Sequence, residues 1–481
     1  MTLGGFSRTY VADALTPVSA YARLRAADPD GASLLFESVV GGERWGRYSI
    51  LAYRPGYEAI LGRRGWHVRG PRAPSFDLGA DAGRDPLQVA APLFRTAPGA
   101  AEAPLPLRLA ASHFGFFAWD LVHLVDKVPP GDPRTWDAHE IALAHFLGSP
   151  VVVVFDSLAQ TYTIAAASEA ELARCEADLA REAPLGPVAI PDRGRIDDDV
   201  RVDTSDADYH AMVRRAQEYI AAGDAFQVVL ARTFSVPRAG RDPFDVYRAL
   251  RLLNPSPYMY FLDMPPVAPG QPRTQIAGAS PETMVRLEGG RMTVRPIAGT
   301  RPRGRTEAED RALEAELLAD PKERAEHVML IDLGRNDVGR VAKTGSVELV
   351  RRMEIDRFSH VMHIVSEVSG QVPAATPRLD VVRAAFPAGT LSGAPKVRAM
   401  QIIRELEARP RNVYGGAVGY VSPNGDLDFA IAIRTAVCKG DVIEVTAGAG
   451  VVEASDPRAE ADETRNKARG VLCAVAALPR R

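Results

Sequence analysis

Glycine-centred turns set between alternating apolar and polar runs constrain this chain more than any other feature. In "SPETMVRLEGGRMTVRPIAGT" (280–300) the Gly289-Gly290 pair is a two-residue turn signal. Such a pair favours a tight hairpin because glycine enters the left-handed region without a Cβ penalty. Pairing outward sets Glu288 opposite Arg291, Val285 opposite Val294 and Glu282 opposite Ile297. In "YGGAVGYVSPNGDLDFAIAIRT" an Asn424-Gly425 turn pairs Gly415 with Arg434, so Tyr414 and Arg434 share the open end. The following strands turn near Gly440 and bring Gly448 back towards that end. Even with a one-residue slip in register, three polar and glycine-bearing sets converge. Hairpins alternating with helices predict an α/β chain of the α+β type, a sandwich of antiparallel sheets with helices packed outside.

Several function classes are excluded by composition. The 481 residues carry 58 basic and 61 acidic side chains, a formal charge of -3. No bulk field favours nucleic acid or an anionic membrane. No apolar run reaches the ~18 residues of a membrane helix, and "PVVVVF" reads as a buried strand. "MTLGGFSRTY" lacks the basic-then-apolar pattern of a secretory signal. Cys175, Cys438 and Cys473 are widely spaced and form no CxxC. They argue for a reducing, cytoplasmic setting, and Cys175 and Cys473 lack a Gly-rich nucleophile context.

The Pro-, Asp- and Gly-rich stretch 183–206 reads as a linker between an N-terminal part (1–182) and a larger C-terminal part (207–481). One interleaved unit is the other arrangement this length allows. No fixed-period repeat is visible.

Two helices begin with the same grammar. "DPKERAEHVMLIDL" opens on Asp320 as N-cap and Pro321, and "SDPRAEADETRNKA" on Asp456 and Pro457. The first carries Glu323 and Glu326; the second carries Glu460 and Glu463, with Lys467 one turn on. Such spacing puts each set on one helix face. A solvated, salt-bridged surface has this pattern. So does a Mg²⁺ site, because a hard cation takes one or two carboxylates plus waters and substrate oxygens. Spacing leaves both readings open. "TAGAGVVEA" lacks the third glycine of a dinucleotide loop, and "LSGAPK" lacks phosphate-loop spacing. The histidines of "SHVMHIVSEVSG" alternate with apolar residues, as in a half-buried strand.

Ten segments in order, "GDAFQVVLAR", "GASPETMVR", "RPIAGTRPRG", "KERAEHVMLIDLGRND", "FSHVMHIVSEVSG", "GTLSGAPK", "YGGAVGY", "AIAIRT", "TAGAG" and "DETRNKA", carry a resemblance. The chain resembles the chorismate-utilising enzymes, most closely the component I (large-subunit) family of anthranilate synthases, from about residue 30 to 475. The resemblance implies that Glu326 and Glu463 bind Mg²⁺ directly, with Glu323 and Glu460 in an outer shell. The metal would hold the ring carboxylate of chorismate. Tyr414, Arg434 and the backbone of Gly448-Ala449-Gly450 would hold the enolpyruvyl carboxylate. Gly299 and Thr300 would contact substrate, and Lys467 would support the metal-carboxylate region. Glu282 is implied as the general acid for the departing hydroxyl, and burial would have to raise its pKa. His363 matches the position associated with loss of the ring proton and pyruvate.

Two residues select the product by the same resemblance. Relatives making aminodeoxychorismate read "PIKGT", whose lysine is an amine nucleophile, where this chain has Ala298. Relatives adding water carry a lysine base where this chain has Gln227, and an amide cannot act as that base. Ammonia is therefore the expected nucleophile and anthranilate the expected product, in the first committed step of tryptophan biosynthesis. Aminodeoxychorismate synthesis and a catalytically silent family member are the alternatives. "LLFESVVGGERWGRYSI" and "PSPYMYFLD" resemble the tryptophan-inhibition segments, with Ser38, Pro257, Tyr258 and Met259 as the L-tryptophan site; Phe36 departs from the usual Leu. With no cysteine in a glutaminase context, a separate glutamine amidotransferase subunit (component II) is expected to supply ammonia.

Overall fold

The Gly289-Gly290 hairpin closes as its turn chemistry dictates. Arg286 pairs with Thr293, Leu287 with Met292 and Glu288 with Arg291, and both glycines have positive φ (57° and 79°). These elements belong to a computed structural model that describes residues 5–38, 47–74, 85–130, 141–357 and 361–480. Further out, the expected pairing of Glu282 with Ile297 does not form. The strand Arg291–Val294 ends, and Ile297–Pro302 pairs with Val361–Gln371, setting Ile297 opposite Val365. Pro296 lies between the two strands and has no N–H to extend the first ladder. On the other side Thr283–Glu288 joins Leu427–Ile431 through a bulge between Thr283 and Val285.

The next hairpin is offset by one residue from the expected register. Ala417 pairs with Ile431 and Val421 with Leu427, so Pro423-Asn424-Gly425 forms a three-residue loop. The Gly425 N–H donates to Ser422 O at 2.9 Å, and Gly425 has φ 93°. Pro423 supplies the fixed φ of the first turn position, which lengthens the loop by one residue and shifts the register by one. The Gly415 N–H accordingly donates to Ala432 O at 2.9 Å, and Gly415 does not face Arg434. The turn at Gly440 forms as expected, with Lys439 opposite Val442.

Every described strand pair is antiparallel. Among the described residues, one sheet has 12 strands and the other 11. Both sheets draw strands from either side of the 183–206 stretch. Ser33–Glu37 pairs with Tyr258–Met264, and His113–Phe117 pairs with Ala417–Val421. The stretch itself has little regular structure beyond the two-residue strand Arg201–Val202. Between the sheets, Leu34, Tyr260, Leu262 and Ile276 pack with Phe114, Phe116 and Val418. Burying each large apolar side chain stabilises the sandwich by ~1.5–3 kcal/mol. Helices cover the outer faces, including Pro243–Leu253 and Pro457–Ala476 on the first sheet and Pro321–Gly339 and Arg378–Ala385 on the second. Val151–Asp156 is the buried strand expected from its valine run. Among the described residues no helix is long and apolar enough to cross a membrane.

Candidate active site

The two capped helices aim their acidic faces at one cavity. The Asp320 carboxylate accepts the Lys322 and Glu323 N–H groups, and Asp456 accepts those of Arg458 and Ala459. The cavity, of about 690 Å³, is lined by Glu323, Glu326, Glu460 and Glu463, and it also reaches Gln227, Glu282, Ala298, Gly299, Thr300, His363, Tyr414, Arg434 and Lys467. Gly448 and Gly450 face it, whereas Ala449 does not line it. Strand alternation turns the Ala449 side chain to the opposite face. Residues separated by up to 240 positions are thus brought to one wall by the hairpin ends and the two helices.

Glu282 is buried, and burial pushes its carboxyl up to about 7. The Thr390 hydroxyl donates to Glu282 Oε1 at 2.9 Å. That bond and the charges of Arg434 and Lys467 oppose the rise but do not cancel it. A carboxyl poised near 7 can carry a proton at neutral pH and give it up. Thr390 stands in "GTLSGAPK", where nothing local in the sequence shows which way that hydroxyl points. Lys322 and Asn466 line the cavity with as little local signal.

Arg434 adopts φ 51°, a left-handed conformation that costs a non-glycine residue about 1–3 kcal/mol. Among the described residues its guanidinium makes no ion pair. A Cβ on Gly448 would lie 2.8 Å from Tyr414 Oη, and one on Gly450 would lie 2.6 Å from Gln227 Nε2. Gly448, whose Cβ would also lie 2.9 Å from Leu230 O, is required there, whereas at Gly450 the Gln227 amide could swing aside. Lys467 Nζ donates to Gly448 O at 3.0 Å and pairs with Glu463 Oε1 at 2.6 Å. This end of the cavity is built for an anion, with a cation, a phenol and nearby backbone.

The acidic end has the opposite character. Burial and the charge of Glu326 raise the Glu323 pKa, and burial raises that of Glu460, with Glu463 adding to it. Glu323 Oε1 lies 3.4 Å from Arg301 Nη1, and Gln227 Nε2 donates to Glu326 Oε1 at 3.1 Å. Hard oxygen donors that repel one another fit a divalent cation. Among the described residues no group of three His, Cys, Asp or Glu side chains is placed to hold a metal by itself. The donor set suits Mg²⁺, which completes its shell with water and substrate oxygens.

His363 extends from its strand beneath the Gly299 turn. Its Nδ1 lies 2.9 Å from Gly299 O and 3.1 Å from Thr300 Oγ1. A carbonyl only accepts, so Nδ1 carries the hydrogen. Burial lowers the His363 pKa and keeps the imidazole neutral. Gly299 has φ 68°, and a Cβ there would come within 3.3 Å of Glu323 Oε2.

A second cavity, of about 760 Å³, is lined by Ser38, Pro257, Tyr258 and Met259 together with Thr283 and Asp428. The Tyr258 hydroxyl donates to Asp428 Oδ1 at 2.9 Å and lies 2.9 Å from Thr283 Oγ1. Ser38 Oγ is buried without a hydrogen-bond partner among the described residues. Positions 39–46 of the expected inhibition segment lie outside the described residues.

Residues 71–472 match the chorismate binding enzyme family. Anthranilate synthase component 1 of Pseudomonas putida is 44% identical, covering 97% of this chain and 94% of that protein. The protein of the same name from Aquifex aeolicus is 41% identical over 96% of this chain and 92% of its own length. The crystal structure of anthranilate synthase component I from Streptococcus pneumoniae aligns with TM-score 0.75 and 34% identity, covering 96% of this chain and 99% of that one. The menaquinone-specific isochorismate synthase of Escherichia coli aligns with TM-score 0.72 at 18% identity over 98% of this chain and 95% of that one, a likeness of fold alone.

Proposed function

This chain belongs to the chorismate binding enzyme family, among the anthranilate synthase component I proteins, and on that premise we propose a Mg²⁺-dependent lyase that forms anthranilate and pyruvate from chorismate and ammonia. The observation that carries the reading is Glu282, poised near 7, in one cavity with Arg434 and four carboxylates. Chorismate is a dianion and needs two anchors. Arg434, Tyr414 and the Gly448-to-Gly450 backbone bind its enolpyruvyl carboxylate, and Gly299 and Thr300 orient the ring. Glu326 and Glu463 would hold Mg²⁺, with Glu323 and Glu460 behind them, and the bound ion would neutralise the ring carboxylate.

Glu282 gives its proton to the departing ring hydroxyl, which leaves as water while ammonia bonds to the ring. A positioned acid contributes ~10²–10⁴-fold to such a step. The second step removes the ring proton, with neutral His363 assigned beside the acceptor position. Breaking the enolpyruvyl ether then expels enolpyruvate, whose methylene carbon takes up a proton to give pyruvate, and leaves the aromatic amine. Lys467, tied to both Gly448 O and Glu463, holds the two anchors in register. Ala298 offers no amine and Gln227 no base, which supports ammonia over an internal lysine or water.

Ammonia would come from a glutamine amidotransferase partner. A glutamine-hydrolysing thiol needs a depressed pKa, whereas burial pushes Cys175 and Cys438 up to about 12 and raises Cys473. Three buried, unpaired thiols also support a reducing, cytoplasmic setting. L-tryptophan would occupy the second cavity, which has walls from both the 1–182 and the 207–481 parts. We retain that division as one of role: inhibitor binding draws on both parts, chemistry on the second.

The deciding assay combines chorismate, Mg²⁺ and excess ammonium at high pH, read by anthranilate fluorescence. Anthranilate supports the reading. Aminodeoxychorismate or isochorismate as sole product would replace it, and no turnover would leave a silent family member.

A further inference from the structure

Behind the proposed catalytic cavity lies a buried ion pair that the chemistry above does not use. Arg411 and Glu407 are only 5% and 8% exposed. Arg411 Nε donates to Glu407 Oε2 at 2.8 Å and Nη2 to Oε1 at 2.5 Å. The guanidinium also donates to Leu391 O at 2.8 Å and to Val229 O at 2.7 Å. Its carbon lies 4.3 Å from the Trp119 ring centroid and 5.7 Å from that of Tyr414. Glu407 Oε1 in turn accepts the Ala231 N–H at 2.8 Å.

Val229, Leu391 and Tyr414 all line the catalytic cavity, and they stand on three separate segments. Val229 lies in the strand Gln227–Pro237, Leu391 in the short helix Gly389–Ser392, and Tyr414 just before Ala417–Val421. One side chain therefore ties three walls of the site together from outside it. Leu391 follows Thr390, whose hydroxyl donates to Glu282. Packing beside the guanidinium is close. A Cβ on Gly415 would lie 3.1 Å from Trp119 Cε3 and 3.5 Å from Leu391 Cβ.

We propose that Arg411 is a positioning residue for the reaction: it sets the Thr390 hydroxyl on Glu282 and holds Tyr414 at the substrate end. The proposal rests on the assignment of Glu282 as the acid. A buried ion pair is weak evidence for stability, because an apolar pair of similar volume often serves as well. What the guanidinium supplies, and an apolar residue or lysine does not, is a planar fork of donors aimed in several directions at once.

The test compares the wild type with Arg411→Lys and with the double variant Glu407→Met, Arg411→Met, which replaces the pair by apolar bulk. Should the lysine variant fail to fold, the double variant is read in its place. Initial rates are taken across pH with neutral ammonia held constant, alongside the thermal midpoint. Expected are a loss of about 10–100-fold in kcat/KM for chorismate per folded enzyme and an alkaline limb displaced to higher pH. The midpoint falls because the Leu391 and Val229 carbonyls, and in the double variant the Ala231 N–H, lose partners. The displacement follows because the Thr390 bond favours the ionised carboxylate, while the facing charges, Arg434 and Lys467, stay in place. Wild-type kcat/KM, or a loss that only tracks the folded fraction with an unmoved limb, would overturn the proposal. Glu282→Gln separates the two readings: if it keeps wild-type turnover and pH profile, the acid assignment fails whatever Arg411 does.

Discussion

Gln227 Nε2 donates to Glu326 Oε1 at 3.1 Å, so the residue proposed to disfavour water as nucleophile touches a carboxylate proposed to hold the metal. Gln227→Lys would put an ammonium beside that carboxylate in its protonated form and a base for water in its neutral form. The Mg²⁺ concentration for half-maximal rate is expected to rise about tenfold, a coupling of ~1.4 kcal/mol, with some isochorismate formed as water competes. Mg²⁺ titration with product analysis checks both; an unchanged requirement would separate Gln227 from the metal.

Glu326→Gln and Glu463→Gln each remove a charged hard-oxygen donor and are expected to abolish turnover while leaving circular dichroism intact. Glu323→Gln, one shell further out, is expected to cost about 10–100-fold. Full wild-type activity after exhaustive chelation would end the Mg²⁺ assignment.

Glu282 gives a stability effect opposite in sign to its role in activity. Its folded pKa, about 7, lies above the ordinary 4.5, so the buried carboxyl stays neutral between those values, where the unfolded chain has already ionised, and ionises above 7 at a cost. Stability is lost as pH rises from 4.5 through 7, up to roughly 3 kcal/mol from this group. Glu282→Gln is expected to lose at least ~10²-fold in kcat yet melt higher than the wild type at pH 8. Melting curves at pH 5 and pH 8 check the sign; the gain should be absent at the lower pH.

Glu282 and Thr283 are neighbours in sequence that face different cavities, the first the catalytic one and the second the Tyr258 cavity. Tryptophan binding beside Tyr258 has only one residue of backbone to cross before it reaches the acid. Tryptophan is expected to inhibit the wild type. Ser38→Ala, Met259→Thr and Thr283→Val are each expected to raise the half-inhibiting concentration about tenfold, which is ~1.4 kcal/mol of coupling. A wild-type rate unchanged up to millimolar tryptophan would remove the regulatory role and leave the enzyme assignment standing.

Purified alone, the chain is expected to use ammonium but not glutamine, and to use glutamine at neutral pH once the amidotransferase subunit is added. Product formation from glutamine by the isolated chain, free of contaminating glutaminase, would contradict this.

The sequence by itself determined features whose causes act within a few residues. Asp320-Pro321 and Asp456-Pro457 cap their helices, and Gly289-Gly290 closes its hairpin, because cap and turn preferences are local. The ordered motifs likewise marked the family and most residues that line the cavity. Only the tertiary structure decided how those pieces meet. Pro296 ended one ladder and sent Ile297 to a different partner than Glu282, and the extra loop residue at Pro423 moved the second register by one. The raised pKa of Glu282, the bond from Thr390, the contact of Gln227 with Glu326 and the brace at Arg411 all depend on burial and on contacts between distant segments. Those are properties of the packed chain, and no window of sequence contains them.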